Sequence, residues 1–235
     1  DGVSKLCTAV VGRFDQNLVT YAHNITYIYF LDNIKMKELF DSFNEKKIMI
    51  IGDVMLDVYM KGIVERISPE ALVPIVSVKE TFSRLGGAAN VAQNIKALEA
   101  KPILCSIIGN DDKANELLQL MHEQNMSTSG IVKSDDRITT RKVRVISNNA
   151  QMLRIDTEDT FDLTQKEHDA IMSKIKEIIE NENIDGIILQ DYNKGVLTEN
   201  VIKEVVELSK EKNIPIGVDP KKKNFLAYKD VTFFK

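Results

Sequence analysis

Acidic and lysine side chains recur directly after apolar segments that have the length and composition of buried strands. The first segment, residues 47–52, leads into two aspartates, and the later segments 185–189 and 214–218 lead into mixed acidic and basic loops. The side chains shared by these loops are Asp53, Asp57, Asp191, Lys194, Asp219 and Lys221. Carboxylates hold Mg²⁺ directly or through water, and lysine neutralises phosphoryl oxygens, so this set favours chemistry on a metal-bound polyphosphate. The two aspartates after the first segment have a simpler alternative, which is to cap a turn.

A paired-glycine turn, Gly86 and Gly87, runs straight into an apolar helical pattern. Glycine tolerates positive φ and close approach of another molecule, and the pattern predicts a helix that buries Val91, Ile95 and Leu98 on one face. The first amides of such a helix have no partners within it, so they bind hydroxyl oxygens or anions, and Asn90 adds an amide side chain there. The alternative is a glycine pair that serves chain geometry alone.

Two further regions predict a small sheet that stands apart from the main one. Residues 59–78 are extended and broken by prolines, which excludes a helix, and residues 138–146 and 151–156 form a hairpin pattern. Period-two alternation places Thr140, Lys142 and Arg144 on one face, with Val143 and Val145 on the other. The basic face is suited to a phosphate, although solvated surface charge is the plainer interpretation.

Helical and strand patterns alternate along the rest of the chain. Strands are predicted at 101–108, 185–189 and 214–218, and helices at 111–124, 163–180 and 198–210. Such alternation predicts an α/β protein with a mostly parallel sheet covered on both faces.

Composition excludes several classes of protein. The chain has 235 residues, 43% of them hydrophobic and 28% charged, with a net charge near −4, which argues against a nucleic-acid-binding protein. Two distant cysteines and three scattered histidines predict neither disulfides nor zinc, and favour a reducing, cytoplasmic location. No apolar run is long enough to cross a bilayer, so we expect no membrane partner.

The first 35 residues differ in composition from the remainder. They hold five of the fifteen aromatic residues and show no helical periodicity, whereas residues 36–43 predict a short amphipathic helix that leads into the first strand. We interpret residues 1–35 as an N-terminal extension and residues 36–235 as the functional domain. An extra element packed on the domain through those aromatics is the alternative.

Five ordered blocks resemble the ribokinase-like (PfkB) family of carbohydrate kinases, and within it the kinases of D-glycero-D-manno-heptose 7-phosphate. The blocks are residues 52–57, 66–71, 86–92, 191–197 and 219–221. The resemblance implies a ribokinase-like three-layer α/β fold, with a mostly parallel central sheet and a small β-sheet lid from about 58–80 and 138–156. It also implies a homodimer formed through that lid.

The same resemblance assigns roles to individual residues. Sugar hydroxyls would bind Asp57 and the helix start at Gly86, Gly87 and Asn90. The cations Lys142, Arg144 and Arg154 are our candidates for the sugar's 7-phosphate. ATP phosphates and Mg²⁺ would lie near Asp191, Lys194, Asp219 and Lys221, with Asp219 as the candidate metal ligand.

The sequence departs from the family pattern in three places. Glu99 stands where the family has a glycine that ends the signature helix, and Leu72 replaces a proline in the lid connection. The Gly-Ala-Gly-Asp motif that supplies the family's anion hole and catalytic base does not occur in residues 1–235. We therefore expect an incomplete kinase domain that lacks the C-terminal part of the fold, holds no catalytic base and does not transfer phosphate as it stands.

The function that this resemblance implies is ATP-dependent phosphorylation of heptose 7-phosphate at its anomeric hydroxyl, on the route to ADP-heptose and the lipopolysaccharide core. Two alternatives remain open from the sequence. One is another PfkB kinase, for a sugar or a nucleoside, and the other is a non-catalytic module for sugar-phosphate binding or dimerisation.

Overall fold

A six-stranded parallel sheet forms the centre of the fold in the computed structural model, which describes residues 37–235. Its spatial order is β10-β9-β8-β1-β4-β5, and every neighbouring pair is parallel. The strands are β1 (Lys47–Gly52), β4 (Lys101–Gly109), β5 (Ile131–Ser134), β8 (Gly186–Gln190), β9 (Ile216–Asp219) and β10 (Phe233–Phe234). The predicted α/β class and parallel sheet are confirmed.

A second sheet of four strands, which we call the lid, has the order β3-β2-β6-β7. Its strands are β2 (Val54–Ile67), β3 (Pro74–Gly87), β6 (Arg141–Ser147) and β7 (Ala150–Thr157). The β2 and β3 strands are longer than the extended pieces predicted from sequence, and the β6–β7 hairpin occurs as predicted. The first residues of β2 are buried and its last residues are exposed, so the lid is rooted in the core and projects from it.

Four helices cover the two faces of the central sheet. They are α1 (Ala88–Ala97), α2 (Asp112–Glu123), α3 (Gln165–Asn181) and α4 (Glu199–Glu211). On one face α3 and α4 bury their apolar residues against Met49, Ile51 and Leu189. On the other, α1 and α2 share a core with Ile50, Leu104 and the base of the lid. Alternate residues of one parallel strand therefore enter different cores, which requires apolar side chains throughout the strand.

Local capping sets where three of these helices begin. The side chain of Asp111 accepts the N–H of Ala114 at the start of α2, and Thr198 accepts the N–H of Val201 at the start of α4. Thr164 and Glu167 form a reciprocal capping box at the start of α3. These side chains satisfy N–H groups that have no partner within the helix, so the sequence pattern alone locates these helix starts.

The glycine turn and α1 differ in detail from the prediction. Only Gly87 of the pair has positive φ, at 61°. The residues of α1 that are fully buried are alanines, Ala88, Ala89 and Ala92, because this helix lies close to the sheet and the lid. The prediction that Leu98 is buried was wrong, since it lies at the C-terminal cap and is 42% exposed. Glu99 follows with φ of 68°, in the left-handed conformation that favours glycine.

Asp53 joins three parts of the fold. Its carboxylate accepts the backbone N–H groups of Tyr192 (2.8 Å), Lys194 (3.1 Å) and Val196 (3.0 Å), and its carbonyl accepts the N–H of Ala88 (2.9 Å). The residue is only 1% exposed. Burial raises the pKa of this carboxyl, and the three backbone hydrogen bonds oppose the rise. The end of β1, the loop after β8 and the start of α1 are therefore tied to one another.

A buried ion pair connects α3 to the same loop. Arg137 donates to Glu167 from Nε at 2.6 Å and from Nη2 at 3.1 Å, and its Nη1 reaches the carbonyl of Lys194 at 3.3 Å. The two charged side chains are 4% and 2% exposed. Burial acts to raise the pKa of Glu167. Hydrogen bonds from Arg137 and from the backbone N–H of Thr164 outweigh this effect and lower the pKa from 4.5 to about 2.

Residues Glu45–Lys235 form one compact unit. Residues 37–41 are helical, in agreement with the short helix predicted before the first strand. The predicted extension, residues 1–35, lies outside the described residues and stays a prediction. Within residues 37–235 no helix has the length and apolarity needed to span a bilayer.

We predict that Asp53→Asn lowers the free energy of unfolding by about 1–3 kcal/mol, because an amide leaves at least one buried backbone N–H without an acceptor. Amide hydrogen exchange should become faster at Tyr192, Lys194 and Val196. Unchanged exchange at all three amides would show that the loop holds its conformation without this carboxylate.

We predict that Glu167→Gln destabilises the protein by about 3–5 kcal/mol, since it leaves Arg137 charged and buried. The folded-state pKa of Glu167 is depressed, so its stabilisation is complete above 4.5 and is lost as the pH falls toward about 2. Denaturant titrations across that range should show a shallower loss in the variant than in the wild type. The control is Glu182→Gln at the exposed Lys47 pair, where we expect about 0–1 kcal/mol.

We predict that Glu99→Gly stabilises the protein by up to about 1–2 kcal/mol, because it relieves the cost of a left-handed conformation at a residue with a side chain. Glu99→Ala keeps that cost and separates it from loss of the glutamate charge. A thermal midpoint for the glycine variant equal to that of the alanine variant would contradict the prediction.

Candidate active site

The carboxyl ends of β1, β8 and β9 meet in one row. Gly52 lies beside Gln190, and Gln190 lies beside Asp219 in the strand register. Parallel strands point their carboxyl ends the same way, so the loops that follow these strands emerge together. The acidic and lysine residues identified in the sequence lie on these loops, and the strand register brings the loops to one edge of the central sheet.

Asp57 lies on strand β2 of the lid, beside the glycine turn that begins α1. Its Oδ1 accepts a hydrogen bond from Nη1 of Arg144 at 2.6 Å, and its side chain is 20% exposed. The other oxygen, Oδ2, is so close to Gly86 that a Cβ at that position would lie 2.6 Å from it. The ion pair thus fixes the carboxylate and leaves Oδ2 available beside the glycine turn, with Asn90 exposed in the first turn of α1.

The three predicted phosphate-binding cations lie on the same face of the lid as Asp57. Lys142 is the register partner of Asp57 on β2 and of Asp156 on β7, and Arg144 faces Arg154. Lys142 donates to Asp156 at 2.8 Å, and Arg154 donates to the other oxygen of Asp156 at 2.9 Å. Hydrogen bonds from Lys142 and Arg154 lower the pKa of Asp156, which keeps it charged.

Glu158, which no sequence motif indicated, connects the lid to the central domain. One carboxylate oxygen accepts Nζ of Lys194 at 2.6 Å, and the other accepts Nζ of Lys142 at 2.7 Å. Burial acts against its charge, and these two bonds hold its pKa below the ordinary value. Four cations, Lys142, Arg144, Arg154 and Lys194, thus face three carboxylates, and an excess of positive charge remains for an anion.

Asp191 and Lys194, predicted on the nucleotide side, have internal partners in the loop after β8. Asp191 is 1% exposed. Its oxygens accept hydrogen bonds from the backbone N–H of Asn193 and from the Tyr228 hydroxyl, each at 2.7 Å. The backbone of Lys194 is held by Asp53, and its ammonium group by Glu158. Asp191 shapes the loop, and its two oxygens are both engaged.

Asp219 and Lys221 lie at the end of β9. Oδ2 of Asp219 accepts Nε2 of Gln190 and Nζ of Lys235, both at 3.0 Å. Burial acts to raise the pKa of Asp219, but these hydrogen bonds hold it below the ordinary value. Lys221 is exposed, with Nζ 5.4 Å from the centre of the Tyr192 ring. Burial, followed by the charges of Asp219 and Asp57, raises the pKa of Tyr192.

The arrangement thus has two parts. A fixed carboxylate, a glycine turn and a cationic lid face can bind a hydroxylated anion. The partly buried carboxylate of Asp219 and the exposed Lys221 lie at the strand ends. Among residues 37–235, no cluster of three or more histidine, cysteine, aspartate or glutamate side chains could hold a metal ion by itself.

Comparison with known proteins places the chain among sugar kinases. Residues 45–231 match the pfkB family carbohydrate kinases. The chain is 41% identical over 187 residues to a protein of Helicobacter pylori (strain G27) named Bifunctional protein HldE. The match covers 78% of this chain and 39% of that relative, so the chain spans well under half of its length.

Solved structures of low sequence identity share the fold. A carbohydrate kinase from Agrobacterium tumefaciens aligns with a TM-score of 0.60 at 16% identity, over 80% of this chain and 60% of that one. Arabidopsis thaliana ribokinase complexed with ribose and ATP aligns with a TM-score of 0.53 at 14% identity, over 75% and 54% respectively. With the family match over most of the sequence and the same two-sheet architecture, the chain belongs to the pfkB family of carbohydrate kinases.

Proposed function

We propose that this chain forms the sugar-binding part of a kinase that transfers phosphate from ATP to D-glycero-D-manno-heptose 7-phosphate. The reaction at the anomeric hydroxyl gives heptose 1,7-bisphosphate, for ADP-heptose and lipopolysaccharide core synthesis. The similarity to the HldE proteins supports this choice over other sugar kinases. The observation that carries the proposal is the fixed Asp57 carboxylate on a lid face that also bears the cations for a phosphate.

In this proposal the sugar binds between the lid and the start of α1. Oδ2 of Asp57 accepts hydrogen bonds from sugar hydroxyls, and the backbone at Gly86 and Gly87 and the amide of Asn90 complete the contacts. A carboxylate suits hydroxyl donors because a bond to a charged acceptor contributes about 1.5–3 kcal/mol. The positive lid face holds the 7-phosphate through charge-assisted bonds.

The nucleotide side uses the loops at the strand ends. Lys194 and Lys221 offer positive charge to ATP phosphates, and Asp191 contributes by shaping the loop that carries Lys194. Asp219 fits Mg²⁺ as a single carboxylate ligand. Its Oδ2 is engaged by Gln190 and Lys235, which leaves Oδ1 for the ion. One protein oxygen is enough, because Mg²⁺ in kinases is bound mostly by water and phosphates. Bound Mg²⁺ would neutralise charge on the transferring phosphate.

We extend the proposal to a homodimer formed through the lid, in the cytoplasm where ATP is available. Large apolar side chains are exposed on the lid strands and their connections, namely Ile63, Ile67, Leu72, Val73, Val78, Met152, Leu153 and Ile155. Large exposed apolar side chains gathered on one sheet are typical of a protein interface.

We predict that Asp57→Asn weakens binding of heptose 7-phosphate by about 10–100-fold, which corresponds to the loss of about 1.5–3 kcal/mol. Calorimetry on the 235-residue chain measures this directly. The matched control is Asp169→Asn, an exposed carboxylate on α3, which should not change the affinity.

Two outcomes would contradict the proposal. A change of less than about twofold for Asp57→Asn would leave this carboxylate without a role in sugar binding, given the size of such hydrogen bonds. Ribose or a nucleoside that binds the wild-type chain as tightly as heptose 7-phosphate would favour another member of the family.

A further inference from the structure

Arg84 lies on the sugar-facing side of the lid, next to the residues that the proposed function uses. It is the register partner of Asp57 across the β2–β3 pair, and it precedes Gly86 by two positions. Directly paired residues of neighbouring strands point to the same face, so Arg84 shares a face with Asp57, Lys142 and Arg144. Its side chain is exposed.

The other cations near Asp57 on this face already have carboxylate partners. Arg144 is bound to Asp57, Lys142 to Asp156 and Glu158, and Arg154 to Asp156. Lys61 approaches Glu80 at 3.7 Å. Within residues 37–235 Arg84 forms no ion pair with a carboxylate, so among the cations that surround Asp57 on this face its charge is not offset by a direct partner.

An aromatic pair holds the Arg84 guanidinium in place. Tyr59 and Phe82 stack across β2 and β3 with ring centres 5.1 Å apart. The guanidinium carbon of Arg84 lies 5.2 Å from the centre of Phe82 and 5.6 Å from that of Tyr59. Cation–π contact uses the flat face of a guanidinium and leaves its N–H donors, which point outward in the plane, free to bind an anion.

We propose that Arg84 is a specificity-determining residue that binds the phosphate group of the sugar phosphate. The inference rests on the proposed function and deepens it, because it selects one cation from the basic face. A guanidinium binds two phosphate oxygens at once, and this one requires no carboxylate to be displaced first. Arg144 is committed to Asp57 and acts on the sugar through that carboxylate.

The test compares phosphorylated with unphosphorylated sugar. Calorimetry on the 235-residue chain gives Kd for heptose 7-phosphate, for heptose and for ATP, in the wild type and in Arg84→Met, Arg84→Lys and Lys61→Met. Methionine keeps an apolar side chain over the two rings. Lys61→Met is the matched control, since Lys61 lies on the same face and 4.8 Å from the centre of the Phe82 ring.

We expect Arg84→Met to raise Kd for heptose 7-phosphate by about 10–100-fold, the loss typical of a charged hydrogen-bond partner, while Kd for heptose and for ATP stays unchanged. Arg84→Lys should recover part of the affinity because it keeps the charge and loses the planar pair of donors. Lys61→Met should change none of the three constants.

Three results would overturn the inference: equal weakening of both sugars, no weakening of either, or weakening of ATP alone. In each case Asp57→Asn in the same assay still reports on the proposed function independently. A wild-type chain that binds neither sugar would contradict the proposed function itself, and the inference about Arg84 would fall with it.

Discussion

The buried residue Asp53 constrains the positions of the loop after β8 and of the glycine turn that begins α1, two of the segments that border the site. A charged group removed from water is costly unless hydrogen bonds replace its hydration, and here three backbone N–H groups from a loop some 140 positions away do so. The same residue accepts the Ala88 amide through its carbonyl, so the loop after β8 and the start of α1 have one common anchor. The geometry around Asp57 and Lys194 depends on that anchor.

The charged groups of the lid differ from Asp53, because they are partly exposed and are paired with one another. Each carboxylate on the lid face orients one or two cations, and Glu158 links a lid lysine to a loop lysine of the central domain. Such pairing holds the cations in place before a ligand arrives. Under the proposed function an incoming phosphate competes with these carboxylates for the cations.

Burial differs between the two sheets and explains the difference in their sequences. Strands of the central sheet lie between two helical layers, so their residues are apolar in succession, as in Lys47–Gly52. Lid strands have one face against α1 and α2 at the base and the other toward the site, so apolar and charged residues alternate, as at Lys142, Val143 and Arg144. The pattern of each strand therefore predicts its layer.

The sequence by itself determined the elements and their faces, because periodicity and capping depend on residues a few positions apart. It predicted the parallel sheet, the β6–β7 hairpin and the helix starts at Asp111 and Thr198. Only the tertiary structure distinguished Asp53, which is buried under a distant loop, from Asp57, which remains available on the lid. The pairing of Arg137 with Glu167 and of Glu158 with Lys194 was likewise decided by topology, since a hydrogen bond between residues thirty or more positions apart leaves no local pattern in the chain.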